Sequence, residues 1–223
     1  MYIYDFFNYA EFLEDKARDK KPLLTQKFNR TDNFINLALY GAQKCVGERI
    51  LPKDSVVYLA SRNGNLNTTL KVLDTIFNQK NLPMPFSFLN SVNAAKLFYM
   101  AKSFKLEGKT LFVDRFESAI PQAFVDVKKN KTVLLGYVTE VVEDLALHTK
   151  LFAGLAKVEE SRWLLLSPKV EEKKALAHIS NIQFGMQETE EMYSKLFSFL
   201  EEGVLGDNFY FRGDNLSFNV EKL

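Results

Sequence analysis

The sequence predicts an α/β protein in which helices are layered on a largely buried mixed sheet, with a hairpin and a helix added toward the C-terminus. Three observations support this. Short apolar runs of strand length alternate with longer stretches whose apolar residues recur at helical spacing. Between residues 32 and 141 the order is helix, strand, helix, helix, strand, helix, strand. Past residue 150 the pattern changes to two more strand-like runs and a last amphipathic helix, so a largely buried sheet gains an antiparallel pair.

The first helix is predicted in NRTDNFINLALYGAQKCVGERI, where Phe34, Leu37, Ala38, Leu39, Ala42 and Val46 form an apolar stripe and Asp32 caps the start. Pro52, Lys53 and Asp54 then make a turn, and Val56 to Ala60 form an apolar run that stops at Ser61, Asn63 and Gly64. That is a buried strand running into a loop. LNTTLKVLDTIFNQ is helical again, with Leu66, Leu70, Leu73 and Phe77 on one stripe, and Pro83 and Pro85 close it. PFSFLNSVNAAKLFYMAKSFKLEG is one mostly apolar helix ending before Gly108. KTLFVDRFES carries a second strand. Ser118 to Gln122 open the next helix, because proline is tolerated in a first turn and Pro121 would stand there. That helix runs to the charged turn KKNK, and TVLLGYVTEV is the most β-rich run of the chain.

RWLLLS and ALAHISNIQFG, joined by PKVEEKK, are expected to pair antiparallel. ETEEMYSKLFSFLEE is an amphipathic helix, and DNFYFRGDNLSFNVEKL is an aromatic tail. With no internal repeat or linker, residues 1–223 are expected to form one domain, a core over 30–185 and a C-terminal extension over 186–223.

Composition narrows the function classes. The 223 residues are 47% hydrophobic and 26% charged, enough for one buried core. Twenty-nine Lys and Arg against 28 Asp and Glu leave a formal charge of +1, without the basic footprint of nucleic-acid binding. One cysteine, Cys45, allows no internal disulfide, and two histidines with it cannot fill a structural zinc site. Asp5, Glu11 and Glu14 come too early for a signal peptide, and no 18 apolar residues run uninterrupted. The expected setting is soluble and cytoplasmic, with no membrane span.

Four ordered segments carry a family likeness: RTDNFINLALYGAQKCV, VVYLASRNGNLNTTLKVLD, FSFLNSVNAAKLFYMAKSFKLEG and GKTLFVDRFESAIPQAF. Together they resemble the N-terminal half of β-ketoacyl synthases, especially the short subunits described as chain-length-factor-like. ESRWLLLSPKVEEKKALAHISNIQFG is similar to the hairpin that joins the two halves of a full synthase. The resemblance implies a thiolase-like half-fold and a bacterial type II setting making fatty acids or polyenes of the aryl-polyene or flexirubin sort. It implies no cofactor and no metal.

The same resemblance implies lost chemistry. Synthases place a cysteine at the turn from strand to helix, where free N–H groups and the helix dipole favour a thiolate and hold an oxyanion. Gly108, Thr110 and Val113 align so that Glu117 occupies that position, and a carboxylate cannot carry an acyl thioester. The chain has no His-Gly-Thr run and no Gly-Phe-Gly loop, and His148 and His178 match neither motif. Beside this stands the plain reading of Glu117 as an anion stabilised at a helix N-terminus. Arg115 has two open roles, pairing with Glu117 or with a partner's acid.

In the family, the strand before the nucleophile pairs across the dimer axis. Here it comprises Lys109, Thr110, Leu111, Phe112, Val113 and Asp114, with Arg115 following, and edge strands are templates for such pairing. Phe86, Phe88, Phe98 and Phe116 are candidates to line an acyl tunnel, weighed against ordinary core roles among 20 phenylalanines. The Asn63, Asn65 and Asn67 loop reads as a strand-to-helix turn, and Cys45 as a buried thiol. Helix faces that a second half would cover need another cover.

Three functions follow as alternatives. The chain pairs with a full-length β-ketoacyl synthase as a non-catalytic heterodimer partner; it decarboxylates malonyl thioesters with Glu117; or it docks an acyl carrier protein.

Overall fold

A computed structural model describes residues 1–12, 31–143, 158–168, 175–184, 192–212 and 216–223. In chain order the elements are β1 (Tyr2–Phe12), α1 (Asn33–Val46), β2 (Val56–Ala60), α2 (Leu66–Phe77), α3 (Pro85–Ser91), α4 (Asn93–Phe104), β3 (Thr110–Val113), α5 (Phe116–Lys128), β4 (Val133–Thr139), β5 (Val158–Ser167), β6 (Ala177–Phe184), α6 (Met192–Glu202), β7 (Asn208–Arg212) and β8 (Leu216–Lys222). The strands join in one sheet in the order β3-β2-β4-β5-β1-β6-β8-β7. β3, β2 and β4 run parallel and every later pairing is antiparallel. Among the described residues no helix is long and apolar enough to cross a membrane.

The parallel strands are apolar runs because helices cover both their faces. Every residue of β2 is buried, and alternate side chains go to opposite layers. Val56, Tyr58 and Ala60 join one core with Phe116 and Ile120 of α5 and Phe197 of α6. Val57 and Leu59 join the other, with Phe34 and Leu37 of α1 and Leu97 and Met100 of α4.

The second core is built around Trp163. Its indole lies between two glycines: a Cβ added at Gly41 of α1 would stand 2.5 Å from Trp163 Cδ1, and one at Gly136 of β4 would stand 2.4 Å from Cε3. Trp163 Nε1 donates to Ser161 Oγ (3.1 Å), whose own hydroxyl donates to the Leu37 carbonyl (2.7 Å). The large ring thus fixes how closely α1 approaches the sheet.

Several expectations change. The runs 162–167 and 175–185 do not pair with each other. β1 lies between them, with Ile3 facing Leu166 of β5 and Ala177 of β6. The long helix over 85–108 breaks at Val92, whose extended backbone (φ −92°, ψ 142°) ends α3 and precedes α4. The break leaves the Asn90 carbonyl able to accept from the Asn65 amide. α5 begins at Phe116, so Pro121 is inside the helix and has no N–H to donate to the Glu117 carbonyl. The aromatic tail forms a hairpin, β7–β8, that extends the sheet, with Phe199, Phe209, Phe211 and Phe218 packed in a row. β7 and β8 of the C-terminal extension therefore belong to the same sheet as the core strands.

Candidate partner surface and its buried polar cluster

β3 is an edge of the sheet, pairing only with β2 among the described residues. Its ladder runs through Lys109 and Val113, whose carbonyls accept from Val57 N–H (2.9 Å) and Ser61 N–H (3.1 Å). Alternation along the strand therefore turns the backbone groups of Thr110 and Phe112 outward. Leu111 and Val113 pack on the α5 side and Phe112 on the α4 side. Lys109 ties inward: its ammonium is 2.7 Å from Asp126 Oδ2 and 5.1 Å over the Tyr58 ring. Asp114 and Arg115 are exposed, and Arg115 precedes α5.

Next to this edge lies an apolar face. α2 packs on α3, α3 on α4, and α4 on β3. On these helices Leu73, Phe77, Phe88 and Phe98 are exposed, Phe98 by 60%, as are Leu82 (95%) and Met84 in the segment between α2 and α3. Phe86, Phe88 and Phe98 are all exposed. Phe116 does not belong with them: fully buried, it faces Phe197 with ring centroids 6.3 Å apart. Glu117 is half-buried in the first turn of α5, where the helix dipole favours its charge. The outward side of α5 carries exposed Ser118, Gln122 and Lys128 together with Val125, 49% exposed. Large apolar residues stand exposed on α2–α4, and others at Ile50, Val125, Val204 and Leu205.

At the C-terminal ends of β2 and β4, Asn65 and Asn67, two of the residues named only as a turn, belong to a buried polar cluster. Lys96 of α4 is 1% exposed, and its Nζ donates to Asn65 Oδ1 (2.7 Å) and Asn93 Oδ1 (2.6 Å). The ammonium lies 5.2 Å from the Phe34 ring centre and 5.5 Å from that of Phe112. Asn65 Nδ2 donates to Asp32 Oδ2 (3.1 Å), which also accepts from Thr68 Oγ1 (2.9 Å), while Asp32 Oδ1 caps α1 through Ile35 N–H (2.8 Å). Asn67 bridges Val141 carbonyl and Glu143 N–H, each at 2.8 Å. Burial holds the Lys96 amine at about 8, with Asp32 and Glu140 opposing the drop. Glu140, 5% exposed, is pushed up to about 7 by burial and by Asp32, with the Asn67 amide opposing.

Other candidates resolve simply. Cys45 is fully buried and desolvation pushes its thiol up, far from a nucleophile's range. His178 stacks on Tyr2 at 4.7 Å, and burial lowers its imidazole. His148 lies outside the described residues. Among the described residues no group of three His, Cys, Asp or Glu could hold a metal ion. One depression of about 730 Å³ runs along α2 past Phe77 to Glu143, and another of about 530 Å³ separates the ends of α1 and α4 near Arg49 and Lys105. Neither is lined by Phe86, Phe88, Phe98 or Phe116.

The sequence matches no family model and no curated protein. Solved structures are similar. A chain from the ketosynthase ApeO in complex with its chain length factor ApeC, from Xenorhabdus doucetiae, superposes with a TM-score of 0.69 at 17% identity, over 99% of this chain and 98% of that one. A chain of the ishigamide ketosynthase/chain length factor superposes with a TM-score of 0.62 at 10% identity, over 83% of this chain and 67% of that one. With its mixed sheet, free β3 edge and helices on both faces, the chain has the thiolase-like fold of these ketosynthase and chain length factor structures.

Proposed function

We propose that this chain is the non-catalytic partner of a ketosynthase, of the chain-length-factor kind, working in the cytoplasm in bacterial fatty-acid or polyene synthesis. The observation that carries the reading is the continuity of two sticky surfaces. Thr110 and Phe112, with outward backbone groups, lie on a strand packed against α4, and α2–α4 pack on one another and carry exposed apolar residues. An open edge beside a bare apolar face is what an obligate partner covers, and ApeC, whose complex shares the fold, is a chain length factor bound to its ketosynthase.

In this reading Lys109 to Asp114 pair strand to strand with the ketosynthase, and Arg115 meets it at the margin. Phe86, Phe88 and Phe98 wall its acyl tunnel, so their bulk sets product length. Phe116, which the sequence likeness grouped with them, instead supports the strand-to-helix turn from within. Glu117 stands in place of the acyl-accepting thiolate, and condensation is left to the partner.

Co-expression with the ketosynthase encoded beside it tests this. The expected result is a co-purifying heterodimer, with product length altered by Phe88→Ala or Phe98→Ala. A chain that purifies as a stable monomer and ignores that ketosynthase refutes the reading. Unchanged product length in an intact heterodimer would leave a docking role for the partner or its acyl carrier protein. Decarboxylation of malonyl-carrier protein by the pure chain, abolished by Glu117→Ala, would make it an enzyme.

A further inference from the structure

We infer that the buried Lys96 ammonium is the positioning group that holds the two parts of the partner surface, the β3 edge and the α2–α4 face, in register with each other. This rests on the function proposed above and assigns one residue to the shape of that surface.

Four pieces of chain meet at this ammonium, and a fifth is reached through one of them. Lys96 stands on α4, bonds Asn93 at the start of its own helix, and bonds Asn65 in the loop that leads from β2 into α2. The rings it approaches belong to Phe34 of α1 and Phe112 of β3. Through Asn65 it reaches α3, because the Asn65 amide nitrogen donates to the Asn90 carbonyl. Gly64 shows how closely the loop is drawn in: its φ is +58°, and a Cβ there would lie 3.3 Å from Asn93 Oδ1 and 3.9 Å from Lys96 Nζ.

The chemistry of the contact is directional. An ammonium only donates, so it fixes the Asn65 and Asn93 side chains with their oxygens inward. Asn65 must then point its NH₂ away, where it finds Asp32 and the Asn90 carbonyl. That second bond engages a carbonyl beside the break between α3 and α4. The same cation draws on the face of Phe112 in the edge strand. The position of the helices and that of the strand thus answer to one group.

Stability alone does not explain a lysine here. Among the described residues no carboxylate stands within ion-pair distance of it; its partners are neutral amide oxygens and rings. Desolvating a cation on such terms is costly, and a whole buried polar pair can often be replaced by apolar residues without loss of stability. What an apolar residue cannot supply is the orientation of two amides.

The test is Lys96→Met, measured on the chain alone and with its ketosynthase. We expect a urea midpoint somewhat below that of the wild type, because the Asn65 oxygen loses its donor. Amide hydrogen exchange should speed at least tenfold in α3 and β3 while the central strands β4 and β5 keep their protection. The dissociation constant for the ketosynthase should rise at least tenfold. Asn65→Ala should reproduce the selective exchange, and the double variant should be no worse than either single one; if Lys96→Met does not fold, Asn65→Ala carries the test. Exchange and affinity both within twofold of wild type overturn the inference. So does a loss of protection spread evenly over the sheet, which would make Lys96 a packing residue. If the wild type binds no ketosynthase but exchange in α3 and β3 still rises selectively, the proposed function fails and the positioning role stands.

Discussion

Replacing Glu140 by glutamine tests the electrostatics of the polar cluster. The carboxyl follows β4 and is 5% exposed, and one of its oxygens has no hydrogen-bond partner among the described residues. Burial and Asp32 raise it from 4.5 to about 7. Between those values the folded chain holds a proton that the unfolded chain has lost. Its contribution to stability is therefore complete below pH 4.5 and disappears as pH rises through 7. Above pH 8 the folded carboxylate costs about 3 kcal/mol relative to its protonated form. Glu140→Gln is neutral at every pH and keeps an oxygen for the Asn67 and Asn33 amides. It should be more stable than the wild type by about 2–3 kcal/mol at pH 8.5 and nearly equal to it at pH 5. Lys96, held at about 8 against an ordinary 10.5, acts with the opposite sign: its deprotonation adds stability as pH rises from 8 toward 10.5. Because both proteins carry Lys96, the difference between them isolates Glu140 to first order. Urea unfolding of both at the two pH values is the assay. Parallel stability profiles, offset by a constant, would refute the reasoning.

Other perturbations probe the fold and the surface. Gly136→Ala puts a methyl 2.4 Å from Trp163 Cε3 and should destabilise by about 1–3 kcal/mol in a urea melt, partly relieved by adding Trp163→Phe. Phe116→Ala should cost about 3–5 kcal/mol because the ring is fully buried. Phe98→Ala, at 60% exposure, should stay within about 0.5 kcal/mol of wild type while weakening the heterodimer in a pull-down. Thr110→Pro removes an outward N–H and leaves the ladder to β2 intact. The chain should remain folded by circular dichroism and lose ketosynthase binding; binding at wild-type strength would place the interface elsewhere.

Local patterns in the sequence were legible where one physical rule dominated. The continuous apolar runs of β2 and β4 and the stripe and Asp32 cap of α1 emerge where strand-length burial, helical periodicity and capping place them. The edge position of β3 followed from the family likeness. What escaped was long-range pairing. Nothing local in YIYDFFNYAEF says that it will separate β5 from β6, although its aromatic content suits a strand. The β7–β8 hairpin did have a signal, two aromatic runs around Gly213, Asp214 and Asn215. The polar cluster was hidden for another reason. Asn65, Asn67, Lys96 and Glu140 are spread over 75 positions and look like surface residues, and only the crossover from β2 to β4 brings them together. The tunnel candidates divided by burial, which sequence position alone does not encode.

The central placement of β1 has a consequence for how the protein is made. Its neighbours are β5 and β6, so β1 is synthesised well before the strands that flank it, which emerge only after residue 157. At translation rates of roughly 5–20 residues per second the growing chain carries an unpaired aromatic strand for on the order of ten seconds. The local β2–α–β units can form during that wait, but the sheet cannot close around β1 until β6 has left the ribosome. Such a high-contact-order step favours slow folding and exposes Phe6 and Phe7 to other nascent chains. In the cell, then, the timing of synthesis and the supply of chaperones should govern yield as much as any contact in the finished molecule.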